Sequence, residues 1–393
     1  MKQYFRIDHR ILFLIGYIFY LFTPLIVGYF NFFDGYPGIE LYQGFFKQIS
    51  ENKIITYLLI TLSWLPAFYI GHFIFKLCKP YKRSLQLFSK NSDSSNMPLI
   101  AVVLFLVLVI FVLLGRGSLF GGYATYDANV RGKFSTLLVI YDFFLVYQLI
   151  TKQKISILLI AGCTLTAFFL LTMGGRMYVF QTFLTLLVFK TSFARKKWNL
   201  KQICFILAVG LFVGSALGVW RQNLTFNLSK ASYSFFAEPV FTWFSTSTFL
   251  IDNKIPLVNF PANFLTSFFN LVPNTFFSLR QYVISTQDMG FITQSPLGAD
   301  SVWSTFVINF GSIGSFFFMM ATGFVLNFLR HNSENSRFGA VYYIMVCGLL
   351  PFQFFRDGFY IINKQLFFNF LLLPGLIFLV LRFVQYSPIK NQP

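Results

Sequence analysis

Charge is scarce in this 393-residue chain: Asp, Glu, Lys and Arg make up 11% of it, and 13 acids stand against 31 basic residues. Histidine is scarcer, with His9, His72 and His331 alone. The four cysteines, Cys78, Cys163, Cys204 and Cys347, contain no C-x-x-C pair, which speaks against a disulfide framework and against a metal site. No nucleotide-binding loop is present. LGRGSLFGG departs from G-x-G-x-x-G at Phe120 and follows an apolar run rather than a strand, and RGKF lacks the spacing and the hydroxyl residue of a phosphate loop. A nucleotide-sugar donor, a metal and a cofactor are all unsupported. No internal repeat is visible, which weakens a transporter built from duplicated halves, and no soluble domain is evident.

What fills the chain is apolar. Hydrophobic residues make up 56% of it, phenylalanine alone occurs 57 times, and the mean hydropathy is +0.65. Twenty apolar residues at about 1.5 Å of rise each cross a hydrocarbon core of roughly 30 Å. By that measure the sequence predicts an all-α, polytopic membrane protein of about ten transmembrane helices. Their approximate bounds are 11–30, 54–77, 98–115, 135–151, 155–173, 177–194, 201–219, 302–329, 338–355 and 361–381. The first run lacks a small-residue cleavage site and reads as a retained helix. The stretch 155–194 is twice the length of one span and contains LLTMGGRMYVFQTFL, so it folds into a hairpin at Gly174–Gly175 with Arg176 at the apex.

A net charge of +18 would point to nucleic acid in a soluble protein; here topology accounts for it. An even helix count puts both termini on one side. That side carries 19 of the 31 basic residues and few acids, and the positive-inside rule makes it cytoplasmic. The chain reads as one integral membrane domain, 1–393. Its large late outer segment, 220–301, is expected to hold short interfacial helices, with Glu238-Pro239 interrupting an apolar run.

Six arginines fall on the outer side, where the same rule disfavours them: Arg116, Arg131, Arg176, Arg221, Arg280 and Arg356. Guanidinium stays charged at the bilayer edge and binds phosphate bidentately, so six of them from separate segments are a candidate site for one anion. The bland reading of each is snorkelling or a structural ion pair. Tyr126, Trp220, Trp243 and Trp303 are outer aromatics able to stack on sugar rings, although Trp and Tyr mark membrane interfaces in general. Activation of an acceptor hydroxyl needs a carboxylate or histidine. No histidine maps outside, which leaves the outer carboxylates Glu238, Asp300 and Asp127 as the candidates, Glu238 and Asp300 foremost, with Arg176 beside them. Asp142, inside the fourth run, reads as a partner within the bundle.

The GGR turn Gly174–Arg176, the INFGSIG stretch Ile308–Gly314, the helix count and the late outer loop together resemble the Wzy-type O-antigen polymerases of oligosaccharide repeat units. The R-x10-G loop pattern of some polymerases is missing, since Gly290 follows Arg280 one residue short. The resemblance implies a GT-C-like membrane glycosyltransferase of the bacterial inner membrane. Such an enzyme moves a growing glycan from undecaprenyl pyrophosphate onto a new lipid-linked repeat at the periplasmic face. A chain-length regulator is a further implied partner, beside membrane lipids. Arg176 would then hold the pyrophosphate leaving group. The rivals are an O-antigen ligase, disfavoured by the lack of an outer histidine, and a lipid-linked oligosaccharide flippase, disfavoured by nearly charge-free helices.

Overall fold

The computed structural model describes residues 6–78, 97–119, 127–151, 155–194, 197–221, 227–271, 278–294 and 299–386. They form seventeen α-helices with short 3-10 and π turns and, among the described residues, no strand. In chain order these are α1 (His9–Leu21), α2 (Thr23–Phe30), α3 (Ile39–Gln48), α4 (Glu51–Cys78), α5 (Met97–Gly115), α6 (Ala128–Thr151), α7 (Ile157–Thr172), α8 (Arg176–Val188) and α9 (Leu200–Arg221). The second half holds α10 (Leu228–Thr242), α11 (Phe244–Asp252), α12 (Ala262–Thr266), α13 (Val302–Asn332), α14 (Arg337–Leu349), α15 (Gln353–Arg356), α16 (Phe359–Asn363) and α17 (Leu373–Tyr386).

Among the described residues, seven helical stretches are long and apolar enough to cross a bilayer: His9–Phe30, Glu51–Cys78, Met97–Ser118, Ala128–Thr151, Leu200–Val219, Val302–Asn332 and Phe359–Val380. The chain is therefore a polytopic, all-helical membrane protein. Large apolar side chains on the flanks stay uncovered, among them Leu114 at 73% exposure and Phe205 at 69%, and only lipid can solvate such a surface at low cost. Three of the expected spans fall outside these seven. Ile157–Thr172 and Arg337–Leu349 are shorter apolar helices, and α8 continues only as a π turn to Phe193. The expected stretch 338–355 ends early because Pro351 follows α14, cannot donate to a helical ladder, and turns the chain into α15.

The longest contact in the fold is between α4 and α13. Two glycines make it possible. A Cβ on Gly71 would lie 1.8 Å from the Met320 carbonyl oxygen, and one on Gly323 would lie 2.0 Å from that of Phe68, so each backbone sits in the notch left by the other. The Trp64 indole donates to Ser315 (3.1 Å) and the Asn327 amide to the His72 carbonyl (3.2 Å) along the same seam.

The INFGSIG stretch lies inside α13 and breaks it. Gly311 has φ +73° and ψ 179°, a conformation that a side chain resists, and its Cβ position is filled by Leu257 backbone. The amides and carbonyls freed by the break bond to residues 256–259: Ser312 N–H donates to Pro256 O (2.8 Å), Ile313 N–H to Leu257 O (3.0 Å), and Asn259 N–H to Phe310 O (3.3 Å). Rings from Phe264, Phe306, Phe310, Phe318 and Phe359 close around this junction, with Phe310 and Phe318 stacked at 4.4 Å. The segment before α13 is thereby keyed into the bundle.

Candidate functional site

The helix ends that frame the site are set locally. Gly174, at φ +92°, closes α7, and α8 starts at Arg176. Asp127 caps α6 by accepting from the amides of Asn129 (2.8 Å) and Val130 (3.3 Å). That cap starts α6 seven residues before the expected boundary of 135, so Arg131 rides on the first turn of a helix instead of lying in a loop. Asn227 caps α10 through the Lys230 amide (2.7 Å), which sets Glu238 three turns along.

Glu238 is the hub. Its Oε2 lies 3.0 Å from Arg176 Nη2, and its Oε1 lies 2.6 Å from Arg356 Nε, although that N–H is not aligned as a hydrogen bond. All three side chains are less than one-fifth exposed. Arg356 also faces Asp357, with 4.0 Å between Nη1 and Oδ1, and Arg131 is close enough for its charge to act on Glu238, Asp357 and Tyr178. Four segments far apart in sequence thus meet through charge at one end of the bundle. A Cβ on Gly218 of α9 would lie 1.7 Å from Ser234 Oγ and 2.9 Å from Arg176 Nη1, so a glycine there leaves the room that the guanidinium occupies.

Electrostatics separate the two carboxyls. Burial opposes ionisation of Glu238, but Arg356 and Arg176 outweigh it and hold its pKa below the usual value. For Asp357 burial wins: with Glu238 and Asp300 adding repulsion against Arg356 and Arg131, its pKa is pushed up to about 6. Near neutral pH three guanidiniums therefore face one fully ionised carboxylate and one that has only just lost its proton. Hydrogen-bonding capacity is also left over. The Tyr20 hydroxyl, Ser234 Oγ and the whole Gln353 amide are buried without a hydrogen-bond partner, and buried polar atoms normally have one. Ser234 shares a narrow cleft with Arg176 and Glu238.

Beside this cluster lies a half-open polar cavity of about 260 Å³. Asn263, Asn270, Arg280, Thr286, Asp300 and Tyr360 line it, and so does Gly358, two residues after Arg356. Cluster and cavity therefore abut, since consecutive Cα atoms are 3.8 Å apart.

The expected set of site residues divides accordingly. Arg131, Arg176 and Arg356 converge with Glu238; Arg280 and Asp300 belong to the cavity. Of the six arginines, Arg131, Arg176 and Arg356 come together at Glu238, and Arg280 lines the adjoining cavity. Arg116 is exposed in the 3-10 turn after α5 and, among the described residues, takes no part in the ion pairs. The side chains of Trp220 and Arg221, at the end of α9, lie outside the described residues, as does all of Tyr126. The stacking role expected of Trp243 and Trp303 is also corrected. Both are 0% exposed, packed against Tyr57 in the core, and neither offers a ring face to a sugar. Asp142 is a bundle partner, accepting from Thr182 Oγ1 (2.6 Å) and Cys163 (3.6 Å). Sequence reasoning missed Tyr20, Tyr178 and Gln353. The two tyrosines sit in apolar runs and Gln353 in a short turn, with no spacing to mark them. Among the described residues no group of three or more metal-ligating side chains occurs.

Compared with known proteins, the chain matches no protein-family model, no curated protein and no solved structure.

Proposed function

We propose that this chain is a membrane glycosyltransferase that polymerises lipid-linked oligosaccharide repeat units, taking the growing glycan from a polyprenyl pyrophosphate of the undecaprenyl type. The observation that carries the reading is the pairing of Arg176 and Arg356 with Glu238, with the charge of Arg131 acting on the same carboxylate, positive charge in excess and buried hydrogen-bonding groups unspent. A diphosphate at the bilayer edge matches that surplus, because guanidinium forks pair with phosphate oxygens. An apolar carrier tail matches the lipid-facing flanks. Counting the three shorter helices as spans gives ten and places both termini on one side, cytoplasmic by the distribution of Lys and Arg. The site then faces out of a bacterial inner membrane, in a GT-C-like arrangement.

In the transfer, the acceptor hydroxyl oxygen bonds to the anomeric carbon as the bond from that carbon to the pyrophosphate oxygen breaks. The electron pair leaves with the diphosphate, whose growing charge Arg176 and Arg356 offset. The hydroxyl proton goes to a carboxylate. Glu238, held ionised by two arginines, is a weak base; Asp300, in the adjoining cavity, is the better acceptor.

The test is a gel of the surface glycolipid from a host lacking the gene, complemented in turn with wild type, Arg176→Ala and Arg176→Lys. The expected result is a full ladder for wild type and collapse to core carrying a single repeat for Arg176→Ala, a loss of about a hundredfold or more in elongation. Arg176→Lys stays badly impaired, because a point charge replaces a fork. Core with no repeat in the null strain would point to a flippase or ligase instead, and an unbroken ladder from both variants removes Arg176 from the site.

A further inference from the structure

We infer that the 260 Å³ cavity is a subsite for an acidic sugar, one bearing a carboxylate of the hexuronate class, and that Arg280 at its mouth reads that carboxylate. This rests on the proposed glycan transfer and adds to it the kind of residue the acceptor presents.

Three features support the assignment. The first is size. The cavity falls below the roughly 300–1,000 Å³ of drug-sized sites and suits one sugar residue rather than a chain. The second is its lining. Asn270, Thr286 and Thr305 supply amide and hydroxyl groups suited to the hydroxyls of a pyranose, and Tyr360 supplies a single aromatic ring. Asn270 is held in place by donating to the Tyr360 carbonyl (2.9 Å), which leaves its amide oxygen for a ligand.

The third is charge. Arg280 is exposed and rides on the 3-10 turn Leu279–Tyr282 at the cavity's side. Among the described residues the lining contains one cation, Arg280, and one acid, Asp300. A neutral sugar gives Arg280 nothing that a neutral side chain would not; a carboxylate gives it a bidentate partner. Asp300 remains next to Gly358, where it can take a proton from the sugar hydroxyl turned toward the Arg356 cluster.

The experiment is saturation-transfer NMR on the full-length chain purified in detergent, with glucuronate and glucose as probes. Wild type is expected to bind glucuronate at least tenfold more tightly than glucose. Arg280→Gln, a substitution at an exposed position, should reduce that preference below threefold, and Asp300→Asn should keep or raise it by removing repulsion. Equal binding of the two sugars by wild type, no glucuronate signal, or an unchanged preference in Arg280→Gln would each overturn the inference. Inorganic pyrophosphate is the control for a phosphate site: glucuronate must survive it in Arg176→Ala, and displacement there overturns the assignment to a sugar. The two readings fail separately. Glucuronate binding together with normal elongation by Arg176→Ala sinks the polymerase and leaves the sugar site standing, whereas a collapsed ladder without glucuronate binding does the reverse.

Discussion

A carboxyl whose pKa lies about 6 in the middle of an arginine cluster has consequences that reach the ligand. Asp357 is neutral in acid, and its ionisation as pH rises through 6 adds a negative charge beside Arg356, Glu238, Arg131 and Asp300. The surplus that attracts an anion therefore shrinks as pH rises. Binding of inorganic pyrophosphate to the purified chain, followed by calorimetry between pH 5 and pH 8, is expected to weaken severalfold across that window relative to its binding by Asp357→Asn. The probe's own titration is common to both proteins, so an identical slope in the two would acquit Asp357. The sequence offered Asp357 only as a partner for an arginine. Its raised pKa depends on burial, which no spacing along the chain reveals, and the same holds for Tyr20 and Gln353, whose idle polar atoms become notable only once they are dry.

Glycine acts differently in different elements. On α4 and α13 it permits backbone contact, and Gly323→Val would drive a branched side chain into the Phe68 carbonyl. That overpacking is expected to cost about 3 kcal/mol or more and to lower the thermal midpoint in detergent; an unchanged midpoint would mean the seam is looser than its geometry. Gly311→Ala should be harmful for a second reason, because φ of +73° strains any L side chain even where space allows. The sequence predicted an element over 302–329 correctly in kind and nearly in length, and it predicted the hairpin break at Gly174–Gly175. It could not predict the break at Gly311, because glycine inside a helix is common and the decisive fact is that residues 256–259 arrive to take its hydrogen bonds.

Over the whole molecule, the end opposite the cluster is tied by Asp8, which caps α1 through the Arg10 amide (3.0 Å) and pairs at 2.6 Å with both Arg10 and Arg330 of α13. Burial opposes its ionisation, yet the Arg10 hydrogen bonds and the Arg330 charge prevail and lower its pKa to about 2. The folded value lies below the usual 3.8, so the stabilisation, about 2 kcal/mol, is complete above pH 4 and is lost as pH falls toward 2. Asp8→Asn should lower the thermal midpoint at pH 7 and lose that sensitivity to acid; equal midpoints at pH 7 would refute the tie. Composition and the lengths of apolar runs determined the class of protein, since the cost of an unsatisfied backbone in lipid allows no answer but helices for such a sequence. They also marked most of the charges that the fold had to place somewhere. Which of those charges meet was decided by tertiary structure alone. Arg131, Arg176, Glu238 and Arg356 belong to separate segments and carry no mutual periodicity, and only the packing of α6, α8, α10 and α15 brings them within reach of one another. Trp243 and Trp303 make the same point in reverse: by sequence they are interfacial aromatics, and packing turns them into core.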